Sequence, residues 1–317
     1  MTMGVYMRHI FIINPVAGSG KYQNELVRLI EQNFKNKKLE YIIYYSKFKG
    51  DIQIYLENLL HDQIPSVVYA CGGDGTFHEV INVALNYTNV SIGVIPCGSG
   101  NDFIKNFHSY NYFNDLESQI QGDNVQLDLI KVNHIYGASV CNIGLDADAA
   151  FHMHKFKKIP FISGSTRYYL SVIYCLINSL GKELEVFIDE KKKIHKSFLL
   201  GVIANGQFYG GGYKCAPLAT VDDGFMDLCL VDKISRFKIM NLIGSYKLGE
   251  HLNNPKINKY INYEKCRQVN IKSNEPLNVC IDGEQYIQKE VKISIEKNAL
   301  NFWLPKGTHM KKEVVSS

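Results

Sequence analysis

Paired cysteines are missing from this chain. Its eight cysteines, at positions 71, 97, 141, 175, 215, 229, 266 and 280, are never closer than 14 residues, which excludes CxxC redox and zinc-ribbon spacings. Cysteines scattered in this way read as reduced thiols of a cytosolic protein rather than a disulfide framework. A dominant charge is missing too. Thirty-five basic and 31 acidic side chains leave a formal charge of +4, too small to argue for nucleic acid but compatible with weak attraction to an anionic lipid surface. Long apolar runs are also absent. Ile10-Phe11-Ile12-Ile13 is too short for a leader and runs into Asn14-Pro15. The longest near-apolar helical stretch, Tyr168 to Leu180, falls short of the ~20 residues that span a bilayer. Neither an internal repeat nor a low-complexity linker occurs, and only Lys311 to Ser317 reads as a frayed tail. What remains is an ordinary globular composition, 46% hydrophobic and 21% charged, in 317 residues, a length that suits two domains.

The first part of the chain alternates strand and helix. Ile10 to Ile13, Leu39 to Tyr45, Val67 to Cys71 and Ser91 to Ile95 read as short buried strands. Between them the spacing predicts helices with Leu26, Leu29, Ile30 and Phe34 inward, with Ile54, Leu59 and Leu60 inward behind an Asp51 cap, and with Phe77, Val80, Ile81, Ala84 and Leu85 inward. Thr76 and Glu79 have the spacing of a capping box. Repeated βα units imply a doubly wound parallel sheet that binds ligands beyond the carboxyl ends of its strands. Three glycine turns fall at those ends. Asn14-Pro15-Val16-Ala17-Gly18-Ser19-Gly20-Lys21 follows the first strand, Gly72-Gly73-Asp74-Gly75-Thr76 the third, and Pro96-Cys97-Gly98-Ser99-Gly100-Asn101-Asp102 the fourth. None is a Walker A or GxGxxG loop, since Pro15 and Tyr22 break the former pattern. Each alone is turn chemistry, but three at one edge make an anion site of backbone N–H groups and helix N-termini. Aspartates within such loops point to Mg²⁺-nucleotide chemistry.

After about Asp128 the pattern changes to alternation. Leu184 to Ile188, Phe198 to Ala204, Met226 to Val231, Val269 to Ile271, Leu277 to Ile281 and Val291 to Ile295 read as a mainly antiparallel β domain. One long helix, Ser165 to Ser179, interrupts it. His152 and His154 have no further ligand nearby in sequence and read as surface histidines. No acidic residue occurs between Asp148 and Glu183, and Lys155, Lys157 and Lys158 interleave there with Phe156, Ile159, Phe161 and Ile162. That pattern suits an anionic membrane surface as well as a plain solvated loop.

The three loops, with Glu79, Asn82 and Phe103 in register, resemble the diacylglycerol kinase catalytic family, which includes bacterial lipid kinases and sphingosine kinases. Gly210-Gly211-Gly212, Ala216-Pro217, Asp222-Asp223-Gly224-Phe225 and Asp282-Gly283-Glu284 look like that family's later blocks. His78 departs from the pattern, where many relatives carry Asn, and is expected at the edge of the site. The resemblance covers nearly the whole chain. It implies an α/β nucleotide domain over 1–128, completed by 303–317, a β-sandwich-like lipid-binding domain over 129–302, and an active site in the cleft between them.

The resemblance also implies roles. Glu284, or failing it Asp282, would be the general base. Asp74, Asp102 and Asp128 would hold a catalytic Mg²⁺, largely through water. Asn14, Pro15, Gly18, Ser46, Gly72, Gly73, Asp74, Gly75, Thr76 and Ser99 would bind ATP. Asp223, with the carbonyls of Thr220 and Phe225, would form a separate structural Mg²⁺ site. The expected activity is ATP- and Mg²⁺-dependent transfer of a γ-phosphate to a lipid hydroxyl, diacylglycerol first. Other lipids or sphingoid bases, or the soluble substrates of NAD-kinase-like enzymes, are the alternatives. A non-catalytic lipid-binding regulator is the reading furthest from the motifs. The enzyme is expected in the cytoplasm, touching the inner face of the membrane peripherally, without nucleic acid, and with a homodimer as the default assembly.

Overall fold

The computed structural model describes residues 7–18, 20, 22–156, 164–178 and 181–311. The chain forms two compact units, one running to Leu129 and resuming at Lys297, the other spanning Ile130–Glu296.

In the first unit β1 (Arg8–Ile13), α1 (Tyr22–Lys37), β2 (Tyr41–Tyr45), α2 (Asp51–Leu60), β3 (Ser66–Gly72), α3 (Asp74–Ala84) and β4 (Val90–Pro96) alternate. The strands lie in the order β2-β1-β3-β4, all parallel, and Phe302 adds beside Ile92 at the far edge. Helices cover both faces of the sheet, so β1 and β3 are buried throughout their length. Phe11 stacks on Tyr69 at 4.7 Å between centroids, and Phe34 from α1 meets Phe11 edge-on. The short pieces β5 (Phe107–His108) and α4 (Leu116–Ile120) follow. Phe103 and Phe107 pack there with Phe77 and Phe302.

Three local expectations change. Leu29 is 37% and Ile54 55% exposed, and the inward residues of α2 are Ile52, Leu56 and Leu60. Gly50, in the left-handed region, is the N-cap of α2, while the Asp51 carboxylate turns back to Lys47 N–H and Tyr44 OH. The capping box does not form. Gly73 caps α3, and Glu79 instead accepts the N–H of Gly50 at 2.9 Å, tying α3 to the start of α2.

The chain leaves the first unit along β6 (Asp123–Val132) and returns along the last long strand, β14 (Glu284–Leu304). Between them lie β7 (Ile135–Gly137), β8 (Val140–Gly144), α5 (Leu145–His152), α6 (Gly164–Asn178), β9 (Lys182–Ile188), β10 (Lys192–Ala204), β11 (Met226–Asp232), α7 (Arg236–Leu248), β12 (Ile261–Cys266) and β13 (Gln268–Ile281). A final strand, β15 (His309–Met310), pairs with β5. β10 pairs with β9 along its first half and with β8 along its second, and β13 divides in the same way. Two long strands that each change partner fold the pairing into a sandwich-like unit. Val186, Phe198, Leu228, Val279 and Ile293 fill its interior. The expected helix appears as α6, but α5 and α7 were not anticipated. α7 shows no single apolar stripe, so periodicity could not find it. His152 is half-buried against Tyr174 rather than a surface residue. The eight cysteines are free thiols, seven of them buried.

Candidate active site

The order β2-β1-β3-β4 places a topological switch point between β1 and β3, where connections leave in opposite directions and open a crevice at the strand ends. The first two glycine loops flank that point. Asn14 N–H donates to Cys71 O at 3.0 Å, and Asn14 Nδ2 donates to Thr76 Oγ1 at 3.1 Å, joining the loop after β1 to the first turn of α3. Asn14 Oδ1 accepts Val16 N–H, and Gln23 Nε2 grips the carbonyls of Asn14 and Ala17 from α1. Pro15 and Gly18 are exposed on this loop, whose Ser19 and Lys21 lie outside the described residues.

Close approach explains the glycines. A Cβ on Gly98 would meet Gly73 Cα at 2.5 Å, and one on Gly18 would meet Cys97 O at 2.5 Å. A Cβ on Gly72 would strike Thr76 Oγ1 at 2.3 Å. The three loops are thus stacked backbone to backbone. Gly72 O accepts the N–H groups of Cys97 and Gly98, which holds the third loop on the second. Asn101, at φ 48°, closes the third loop through Gly98 N–H and Gly98 O. Gly75 and Ser99 are exposed at the tips. Burial pushes the Cys97 thiol up to about 11, so the loop carries no thiolate to repel an anion.

The acids divide into those the fold joins and those it separates. Asp74 Oδ1 accepts Asp102 N–H at 2.8 Å, and Asp102 Oδ1 accepts from Lys105 Nζ at 2.6 Å. Asp128 is fully buried on β6 and accepts Asn298 N–H at 2.8 Å. Among the described residues no three His, Cys, Asp or Glu side chains are grouped to hold a metal directly. The Asp74–Asp102 pair suits Mg²⁺, which takes one or two carboxylates and fills its shell with phosphate oxygens and water. Ser46 follows β2, and its N–H donates to Ile13 O at 2.9 Å. His78 is buried in α3.

In the second unit, Asp282 and Gly283, at φ 49° and 96°, form the two-residue turn between β13 and β14. The Asp282 carboxylate accepts three backbone N–H groups, from Ala138 at 2.6 Å, Ser139 at 3.0 Å and Val140 at 2.9 Å. Its acceptor sites are committed to anchoring the turn. Glu284 is the half-buried carboxylate beside it. Asp223 accepts Phe225 N–H at 2.9 Å and pairs with Lys265 Nζ at 2.8 Å. Each Asp223 carboxylate oxygen is thus engaged once, one by the backbone and one by a lysine.

Sequence reading missed one feature of this unit. Leu145, Val172, Leu199, Ile239 and Ile243 line an apolar cavity into which the Asp146 carboxylate faces. Tyr168 OH and Tyr209 OH donate to that carboxylate. Burial raises the Asp146 pKa, and the two hydrogen bonds offset only part of the rise. The signal was an acid inside an apolar stretch, Leu145-Asp146-Ala147-Asp148-Ala149, which composition alone could not tell from a surface helix.

Residues 8–132 match the diacylglycerol kinase catalytic domain, and residues 139–304 match the YegS C-terminal NAD kinase beta sandwich-like domain. The chain belongs to the diacylglycerol kinase catalytic family. Two relatives named diacylglycerol kinase, from Staphylococcus aureus strains bovine RF122 / ET3-1 and MRSA252, are each 28% identical over 275 residues, covering 86% of this chain and 84% of the relative. The fold matches the crystal structure of a diacylglycerol kinase from Bacillus anthracis str. Sterne, with a TM-score of 0.70 at 18% identity over 94% of this chain and 97% of that one. Membership makes the protein a kinase. No helix among the described residues is long and apolar enough to cross a membrane.

Proposed function

We propose that this kinase uses ATP and Mg²⁺ to phosphorylate the hydroxyl of diacylglycerol, giving phosphatidate. The observation that carries the lipid reading is the apolar cavity of the second unit, since a soluble, charged acceptor would have no use for walls of Leu, Val and Ile. In this reading backbone N–H groups of the three loops hold the phosphates, and Asn14 and Thr76, fixed by their mutual hydrogen bond, border them. Asp74 and Asp102 would hold Mg²⁺, which when bound neutralises charge on the transferring phosphoryl group. Ser46 and Ser99 add polar contacts at the strand ends. Glu284 takes the proton of the attacking hydroxyl, while Asp282 keeps the turn that presents it. The enzyme would work in the cytoplasm, on lipid presented at the inner face of the membrane.

The test is labelled ATP with a panel of diacylglycerol, monoacylglycerol, sphingoid base, isoprenoid alcohol and NAD, the lipids in mixed micelles. Labelled phosphatidate, lost in Asp74→Asn and in the absence of Mg²⁺, is the expected product. Label appearing in NAD and in no lipid would overturn the reading.

A further inference from the structure

Helices α6 and α7 carry apolar side chains on two opposite faces. Tyr168 and Val172 of α6, with Ile239, Ile243 and Tyr246 of α7, line the cavity. On the solvent side of α6, Ile173 is 53% and Ile177 66% exposed, four residues apart and so in one helical row. On α7, Phe237 is 89% and Leu248 65% exposed. Eleven residues make just over three whole turns, so these two also share a row. Gly244 lies between them, and a Cβ there would meet nothing within 4 Å. Arg236 joins the two helices, donating to Leu176 O at 2.6 Å and Ile177 O at 3.2 Å, which sets the start of α7 against the end of α6. A surface helix of a globular protein turns polar residues outward. Large apolar side chains gathered on neighbouring helices mark a surface that something else covers.

The charge around this face says what covers it. No Asp or Glu occurs between Asp148 and Glu183, or between Asp232 and Glu250, and α6 and α7 lie wholly inside those two intervals. The cations beside the face meet neutral groups. Arg236 bonds to carbonyls, Lys238 Nζ to Tyr260 OH at 2.7 Å and Lys155 Nζ to Tyr174 OH at 2.8 Å, and Lys247 lies over the Tyr213 ring. Among the described residues none of these four cations makes an ion pair. Apolar side chains framed by such cations complement the interface of an anionic bilayer, with the apolar groups entering the acyl boundary and the cations staying at headgroup level. The lysine-rich stretch singled out in the sequence contributes Lys155, while Lys157, Lys158 and the apolar residues after them lie outside the described residues.

We infer that the solvent face of α6 and α7, led by Phe237, Leu248, Ile173 and Ile177, is the surface that settles on an anionic membrane. The cavity walled by the inner faces of the same helices then takes its lipid directly from the bilayer. The identity of that cargo rests on the lipid-kinase reading, whereas the docking itself does not.

Two measurements on the full chain test this without ATP. In co-sedimentation, the wild type should bind phosphatidylglycerol-containing vesicles better than phosphatidylcholine vesicles, and binding should weaken as salt screens the cations. The double variant F237S/L248S should lose about tenfold or more of that binding. In fluorescence, F237W adds a reporter to a chain whose one tryptophan, Trp303, is buried. Its emission should shift to the blue on the anionic vesicles. Equal binding by F237S/L248S, or no shift in F237W, overturns the docking surface. It is equally overturned if the wild type is a dimer that F237S/L248S converts to monomer while neither binds vesicles, because the face then joins two copies. Turnover separates the two readings. F237S/L248S should phosphorylate monomeric dioctanoylglycerol as the wild type does, yet lose about tenfold on vesicle-embedded long-chain diacylglycerol. Vesicle binding that depends on Phe237 while no lipid is phosphorylated would keep the docking surface and discard the lipid-kinase reading.

Discussion

Asp282 and Glu284 are separated by one glycine and serve different ends. Three N–H groups converge on Asp282, so Asp282→Asn must turn an amide N–H₂ toward a backbone donor. Leaving buried donors unsatisfied costs about 1–3 kcal/mol, and Asp282→Asn should melt measurably below the wild type. An unchanged melting temperature would mean that the carboxylate does not anchor the turn. Glu284→Gln should behave in the opposite way. It should melt as the wild type does and lose kcat by roughly 10²–10⁴, the usual contribution of a general base, with little change in the KM for ATP. Full activity in Glu284→Gln would remove the base from this position. The pair illustrates how a motif names residues without assigning them: Asp-Gly-Glu reads as two candidate acids until the hydrogen bonds show one of them already committed.

At the scale of elements, the glycine loops act as a stack. Gly98 passes so close to Gly73 that a Cβ on Gly98 would lie 2.5 Å from Gly73 Cα, which couples the third loop to the second. Gly98→Ala should force them apart, with an overpacking cost of about 1–3 kcal/mol and a marked loss of ATP affinity by calorimetry. Unchanged affinity would show that the loops are not coupled in this way. Helix α7 supplies the contrasting glycine. Gly244 is mid-helix with open space around its Cα, so Gly244→Ala should stabilise the protein by about 0.5–1 kcal/mol through helix propensity alone. Destabilisation, read from the denaturation midpoint, would mean that this position packs against a partner in solution.

At the scale of the whole molecule, two buried histidines set the response to acid. His9 in the first unit and His251 in the second are each lowered by burial to about 4. His9 donates to or accepts from Tyr69 OH at 3.0 Å and stacks on its ring. In the unfolded chain each would titrate near 6.5. The unfolded state therefore binds protons that the folded state refuses as pH falls from about 6.5 to about 4, and stability is lost across that window and intact above it. A shift of this size corresponds to an upper figure of about 3 kcal/mol per histidine. Trp303 belongs to the same unit as His9, so its fluorescence during urea unfolding reports that unit. Between pH 7 and pH 4.5 the midpoint should fall, and His9→Gln should flatten the fall. A slope identical in His9→Gln would place the acid sensitivity elsewhere.

The alternation of strand and helix and the three loops at the strand ends were legible in the sequence because local chemistry dictates them. Short β-branched runs, glycine turns and apolar spacing at 3.6 or 2 residues each leave a mark within a dozen positions. Side-chain partners leave no such mark. Thr76 and Glu79 have capping-box spacing, yet Glu79 bonds to Gly50, 29 residues away, because tertiary packing brought a better donor within reach. α7 was invisible because apolar residues on both of its faces cancel the periodicity that reveals a helix. The cavity around Asp146 draws its lining from three helices, strand β10 and the loop carrying Tyr209 and Tyr213, and only their packing brings these together. The sequence by itself determined that three glycine loops stand at the strand ends, since apolar spacing and glycine freedom are local properties. Tertiary structure alone decided which acids stand together, which stand as anchors, and where apolar side chains stay uncovered, since each depends on groups that meet only after the chain has folded.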